Sequence, residues 1–126
     1  MTDEESTDKL EQEKGRMSDL INECIEDALE EEMEFTGTKE TDLKALKDWC
    51  TRSIESEIKH LSNSIQQLDQ PPFLPKKRRA VQDLWRKKED QLRYLGSIDA
   101  VFMKYADDIF NRMQRARSDH NEEDCN

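Results

Sequence analysis

The 126-residue chain is rich in charge: 40% of its residues are charged, only 33% are hydrophobic, and the net charge is −10. A typical globular domain has about 25% charged and 45–50% apolar residues, so this composition excludes a large single core and favours slender helices with narrow apolar stripes. Three glycines and three prolines encode too few turns for a β-sandwich or barrel, in which turns recur about every 8–12 residues. No apolar run approaches the ~18 residues of a membrane span, and the acidic N-terminus lacks the apolar core of a secretory signal.

Acidic and basic residues are separated along the chain. Residues 1–40 contain fifteen acidic and four basic side chains, whereas residues 71–117 contain twelve basic and six acidic ones. Polarity of this kind is typical of proteins that associate with other molecules. Residues 1–17 and the tail 118–126 have too few apolar side chains to offset the entropy of ordering, so both termini are predicted to be disordered.

Two helices are predicted before the proline-rich segment. The first spans about residues 18–35 and the second about residues 39–69, with Thr38 as a candidate N-cap of the second. Both carry apolar side chains at intervals of three and four, which indicates one buried face on each helix. These residues are Leu20, Ile21, Cys24, Ile25, Ala28, Leu29 and Met33 in the first helix, and Leu43, Leu46, Cys50, Ile54, Ile58, Leu61, Ile65 and Leu68 in the second.

A third and longer helix is predicted from Pro75 to about residue 117. The prolines at 71 and 72 end the second helix, because proline lacks an N–H donor and clashes with the preceding turn. Phe73 and Leu74, between the helices, are expected to pack against a neighbouring helix. One heptad frame places the following residues at a and d positions: Val81, Leu84, Leu95, Ile98, Phe102, Tyr105 and Ile109, with the polar Lys88 and Gln91 between them.

The predicted fold is therefore all-α: a helical hairpin or coiled-coil-type bundle of three helices in one association domain, residues 18–117, with disordered acidic termini. A hairpin with broad apolar stripes leaves apolar surface exposed, and large exposed patches mark interaction sites. The expected partners are other helical protein subunits, with a hetero-oligomer favoured over a homodimer; a self-sufficient three-helix monomer is the alternative. The predicted partner-binding residues are Val81, Leu84, Trp85, Leu95, Ile98, Phe102, Tyr105, Ile109 and Phe110.

A basic cluster begins the third helix and consists of Lys76, Lys77, Arg78 and Arg79. The cluster resembles a monopartite nuclear import signal, which predicts a nuclear location, with the cytoplasm as the alternative. The helix dipole disfavours each cation at this end by about 0.3–1 kcal/mol, so an acidic partner, an import receptor, a phosphate or the chain's own Glu30–Glu32 is expected nearby. The order of helix, proline-rich break and long heptad helix over residues 40–117 resembles subunits of a kinetochore complex, which implies a chromosome-associated assembly.

No pattern in the sequence indicates catalysis, a cofactor or a metal site. The three glycines are isolated, so no phosphate-binding loop is present, and the two histidines lack a nucleophile–base arrangement. The three cysteines (Cys24, Cys50 and Cys125) lack paired spacing and are predicted to be reduced thiols. The sequence thus predicts a non-enzymatic scaffold or adaptor subunit. The alternatives are nucleic-acid binding through the basic segment 76–93 and a regulator whose acidic first helix engages a basic partner.

Overall fold

A computed structural model describes the backbone of residues 3–124 and the side chains of residues 9–119. Four helices follow one another along the chain: α1 (Asp3–Glu30), α2 (Lys39–Leu68), α3 (Pro75–Lys104) and α4 (Ala106–Asp124). No strand occurs in this described part, so the predicted all-α class is confirmed. The chain divides into two compact units: unit 1 comprises residues 1–50 and 97–126, and unit 2 comprises residues 51–96.

The prediction of three helices is wrong, because the long third helix is interrupted at Tyr105. The N–H of Tyr105 donates to the Val101 carbonyl at 2.9 Å, and its own carbonyl accepts the Ile109 N–H at 3.0 Å, so the break is a one-residue turn. The charges on either side favour separate helix ends. Lys104 lies in the last turn of α3 and two aspartates lie in the first turn of α4, and each complements the local helix dipole.

The termini also differ from the prediction of disorder. α1 begins at Asp3 rather than near residue 18, and the helical tail continues to Asp124. Met17, which the sequence pattern assigned to the disordered N-terminus, is fully buried. Residues 1, 2, 125 and 126 of the predicted disordered termini lie outside the described residues.

Polar contacts join α1 to α4 in this part of the chain. Lys14 Nζ lies 3.5 Å from Asp108 Oδ2, and Arg112 donates to Ser18 Oγ at 2.9 Å. Arg112 also lies 3.2 Å from Asp108 Oδ2, so one aspartate joins both basic side chains. The residues that join α1 to α4 are more than 90 positions apart in sequence. A pattern of local apolar spacing carries no information about such contacts.

Unit 1 buries an apolar core between α1, the first part of α2, the end of α3 and α4. Its buried side chains are Met17, Ile21, Cys24, Ile25, Ala28, Leu29, Phe35, Leu46, Cys50, Ile98, Val101, Phe102, Ile109 and Met113. Cys24 and Cys50 are free thiols in this core. A hydrogen bond with Cys24, together with burial, raises the pKa of Cys50, so this thiol stays protonated and both cysteines pack as small apolar side chains in the core.

The connection between α1 and α2 begins with a Schellman motif. Met33 N–H donates to the Ala28 carbonyl at 2.9 Å, and Glu32 N–H donates to the Leu29 carbonyl at 3.1 Å. Glu32 has φ 59°, the left-handed conformation that this motif needs at its C′ position, where glycine is the usual residue. The chain thereby reverses direction without a glycine at the helix end.

The rest of the connection is organised by a buried carboxylate. Asp42, in the first turn of α2, is only 2% exposed. Its oxygens accept hydrogen bonds from Thr36 N–H at 2.8 Å, Thr36 Oγ1 at 2.9 Å and Gly37 N–H at 2.9 Å. Gly37 has φ 84°, which a residue with a side chain rarely adopts. One side chain therefore satisfies two backbone donors and a hydroxyl where the chain enters α2.

Replacing Asp42 with alanine is expected to lower the free energy of unfolding by about 2–4 kcal/mol, because two backbone N–H groups lose a charged acceptor. The matched control is Glu40→Ala, which removes an exposed acid from the same helical turn and is expected to cost at most about 1 kcal/mol. Urea denaturation followed by far-ultraviolet circular dichroism measures both. Equal losses for the two variants would show that the hydrogen bonds of Asp42 are not important for stability.

Candidate interaction surface

Unit 2 is a helical hairpin of the second part of α2 and the first part of α3, joined by residues 69–74. On α2, Ile54, Leu61 and Ile65 are buried. On α3, the residues of the predicted heptad frame in this unit (Val81, Leu84, Lys88, Gln91 and Leu95) are only half-buried. The apolar positions of α2 in unit 2 are therefore more completely buried than those of α3.

The turn between the helices is secured by polar groups. The Pro71–Pro72 peptide bond is cis. Lys77 Nζ donates to the Gln70 carbonyl at 2.9 Å and to the Pro72 carbonyl at 3.1 Å, which ties the start of α3 to the turn. α3 begins at Pro75, where proline is favoured because its missing N–H has no partner in the first turn.

A second stripe on α3, which we call the outer stripe, adjoins the predicted heptad frame and shares Val81 and Lys88 with it. Its members are Leu74, Arg78, Val81, Trp85, Lys88 and Leu92, at intervals of 4, 3, 4, 3 and 4. Leu74 is 53% exposed, Trp85 45% and Leu92 47%, although apolar side chains of this size are usually buried. The stripe extends over 18 positions, or about 27 Å at the rise of an α-helix.

A cleft lies at the turn end of the outer stripe. Its volume is about 430 Å³, and it is lined by Leu68, Asp69, Phe73, Lys77, Arg78, Val81 and Gln82. Leu68 ends α2 and Val81 lies in the second turn of α3, so the cleft lies between the end of α2 and the start of α3. Phe73 is 60% exposed. The expectation that Phe73 and Leu74 pack against a neighbouring helix is therefore wrong.

The basic cluster divides into one engaged and three free side chains. Lys77 holds the turn, whereas Lys76, Arg78 and Arg79 are exposed, and within unit 2 none of them has a carboxylate at ion-pair distance. Farther along α3, Lys88 Nζ lies 4.7 Å from the centroid of the Trp85 ring, a cation–π contact that covers part of the indole.

The nine predicted partner-binding residues fall into different environments. Val81, Leu84, Trp85 and Leu95 lie in unit 2 and are half-buried or exposed. Ile98, Phe102 and Ile109 are buried in the core of unit 1, where they are not accessible to another molecule. Tyr105 and Phe110 are half-buried in unit 1. The outer stripe adds Leu74, Arg78, Lys88 and Leu92; Lys88 already belongs to the predicted heptad frame, whereas the other three fall into register only in a second frame.

Tyr105 packs beneath a basic side chain rather than on an open surface. Lys14 Nζ lies 4.5 Å from the centroid of the Tyr105 ring. The Tyr105 hydroxyl is buried without a hydrogen-bond partner among the described residues. Desolvation, followed by the charge of Glu11, raises the pKa of Tyr105. The phenol therefore stays neutral and acts as a packing group at the break between α3 and α4.

Comparisons with known proteins identify no relative: no protein-family model, curated protein or solved structure matches this chain. Among the residues that the structure describes, no cluster of histidine, cysteine, aspartate and glutamate has an arrangement that would hold a metal ion. None of the helices in that part of the chain combines the length and apolarity required to cross a bilayer. The candidate site is thus defined by the geometry of unit 2.

Two leucines in unit 2 test whether the outer stripe contributes to folding. Leu61→Ala removes a side chain that is 4% exposed and is expected to cost about 2–4 kcal/mol of unfolding free energy. Leu92→Ala removes the same atoms from an open site and is expected to cost less than about 1 kcal/mol. The helix propensity of the two substitutions is the same, so chemical denaturation compares burial alone. A large loss for Leu92→Ala would place this residue in the folding core.

Proposed function

We propose that this protein is a non-enzymatic helical scaffold or adaptor subunit that joins a multi-protein assembly by coiled-coil-type packing on the outer stripe of α3. The observation that carries the proposal is the exposure of Leu74, Trp85 and Leu92 on one helical face. Their spacing of three and four residues is that of a seam for another helix. A partner helix would contact such a face through large side chains spaced one or two helical turns apart.

The energetics favour this role for the outer stripe. Full burial of an apolar side chain of this size stabilises a complex by about 1.5–3 kcal/mol, and tryptophan is among the residues that most often dominate interfaces. Trp85 lies at the centre of the stripe, with Arg78 and Leu92 seven residues away on either side. Contact along about 27 Å of helix is sufficient for a modest helical interface.

Nucleic-acid binding is less well supported by the same surface. Few basic side chains are free to contact phosphates. On the same helix, Asp83 forms an ion pair with Arg86 at 4.0 Å, and Asp90 forms one with Arg93 at 2.8 Å. Those two arginines are thereby partly neutralised for phosphate contacts. The exposed apolar side chains of the outer stripe also have no role in following a phosphate backbone.

The proposed role predicts a partner that depends on Leu92. The chain is purified from its native cells as wild type, as Leu92→Glu and as Met103→Glu, and co-purifying proteins are quantified by mass spectrometry. Met103 is 83% exposed and lies in unit 1, so it controls for a new surface charge. At least one protein is expected with wild type and Met103→Glu but reduced about tenfold or more with Leu92→Glu, since a buried unpaired charge costs several kcal/mol.

A co-purifying protein must then bind directly. The purified partner is expected to form a complex with the wild-type chain and to raise its melting temperature, because a ligand that binds only the folded state stabilises it. Leu92→Glu should abolish both effects while keeping the helical circular dichroism signal. Identical partner profiles for all three forms would contradict a role for the outer stripe in assembly.

We also propose a nuclear location, because Lys76 and Arg79 are exposed within the basic cluster. The double variant Lys76→Ala/Arg79→Ala leaves the outer stripe intact and is expected to lower the nuclear-to-cytoplasmic ratio of a fluorescent fusion several-fold. Lys59→Ala/Lys87→Ala removes two exposed lysines outside the cluster and serves as the control. An unchanged nuclear-to-cytoplasmic ratio for Lys76→Ala/Arg79→Ala would show that the cluster is not an import signal.

A further inference from the structure

The charges around the outer stripe identify the chemistry of its partner. Two of the six stripe positions are basic, Arg78 and Lys88. Arg78 is exposed and Lys88 is half-buried over Trp85, and within unit 2 neither has a carboxylate at ion-pair distance. Lys77 lies beside them at the turn end of the stripe, in the lining of the cleft.

Two of the three acids that α3 contributes to unit 2 lie on the other side of the helix. At about 100° per residue, Asp83 and Asp90 project about 160° and 140° away from Trp85. Both form ion pairs there, with Arg86 and Arg93 respectively. Glu89, the third acid of α3 in unit 2, borders the stripe. The face that carries Trp85 and Leu92 is therefore net positive, although the whole chain is acidic.

Covering this face removes Arg78 and Lys88 from water. An uncompensated buried charge costs several kcal/mol, whereas a carboxylate at hydrogen-bond distance offsets much of that cost. An apolar or basic helix would leave both cations unpaired, and a like-charged helix would add repulsion. The alternating spacing of the stripe requires apolar groups at a and d positions of the opposing helix, and its cations lie where acidic side chains at e and g positions reach.

We propose, as a refinement that rests on the proposed function, that the partner of the outer stripe is an acidic amphipathic helix of another protein. Its apolar seam covers Trp85 and Leu92, and its carboxylates pair with Arg78 and Lys88. One large apolar side chain of that helix enters the cleft of about 430 Å³, whose apolar lining residues are Leu68, Phe73 and Val81. Lys77 and Arg78 in the cleft lining attract acidic residues next to this anchor. Their two positive charges outweigh the single negative charge of Asp69 in the same lining.

The test uses the full chain and two synthetic helical peptides of about three heptads, with leucine at a and d and either glutamate or lysine at e and g. Like charges at e and g oppose self-association of each peptide, which keeps the probes monomeric. Binding is measured by fluorescence anisotropy of the labelled peptide. The acidic peptide is expected to bind the wild-type chain about tenfold or more tightly than the basic peptide.

Charge reversal provides the decisive comparison. Arg78→Glu/Lys88→Glu is expected to weaken the acidic peptide about tenfold or more and to strengthen the basic one. An acid in the first turn of α3 is favoured by the helix dipole, so the fold is expected to be retained. Lys59→Glu/Lys87→Glu makes the same change of charge at exposed positions outside the stripe and should change either affinity less than about threefold, since exposed charges are screened by salt.

Several results would overturn the proposal. These are equal binding of the two peptides, no binding of either, or the same loss for both double variants. Displacement of the acidic peptide by duplex or single-stranded DNA would assign the cations to nucleic acid, and self-association that Arg78→Glu/Lys88→Glu abolishes would assign the face to a second copy of the chain. If the native partner is lost with Leu92→Glu but kept with the charge reversal, the proposed role in assembly is supported, and the proposal that the partner is acidic is wrong.

Discussion

A shortage of apolar side chains governs this structure. Unit 1 combines parts of all four helices around a buried core, with Met17, Ile21 and Ile109 at most 1% exposed. Unit 2 has parts of two helices. Ile54, Leu61 and Ile65 of α2 are buried there, while α3 carries apolar groups along two adjoining stripes and leaves Trp85 and Leu92 about half exposed. With so few helices in the unit, part of its apolar surface stays open.

Charged side chains hold the helix ends and the helix contacts in position where apolar residues cannot. Asp42 holds the entrance to α2 by accepting three hydrogen bonds, and Lys77 holds the entrance to α3 by donating two. In unit 1, Lys14, Asp108 and Arg112 connect α1 with α4. In each case the polar partners lie at the end of a helix or between helices, where the narrow apolar stripes do not reach. The charged composition therefore defines the geometry of the turns as well as the solubility of the helical surfaces.

Periodicity predicted the helical class and the approximate extents of α2 and the start of α3, since apolar spacing and the prolines act locally. It failed where distant residues decide. The N-terminal part of α1 contacts α4 through Lys14 and Ser18, and the break at Tyr105 lies within an unbroken heptad pattern. The predicted partner-binding set did not distinguish Ile98 and Phe102, which are core residues of unit 1, from Trp85, which is open in unit 2. The second frame through Arg78 and Leu92 was present in the sequence, but its exposure is seen only in the folded structure.

The distribution of sulfur and indole groups lets the two units be observed independently. Cys24 and Cys50 are buried in unit 1, so alkylating reagents reach them when that unit opens. Unit 2 contains one tryptophan, Trp85, and no cysteine, so emission from this indole reports the hairpin alone once Trp49 is replaced. Cooperative or stepwise melting of the molecule is thus readable from native reporters, without an added label.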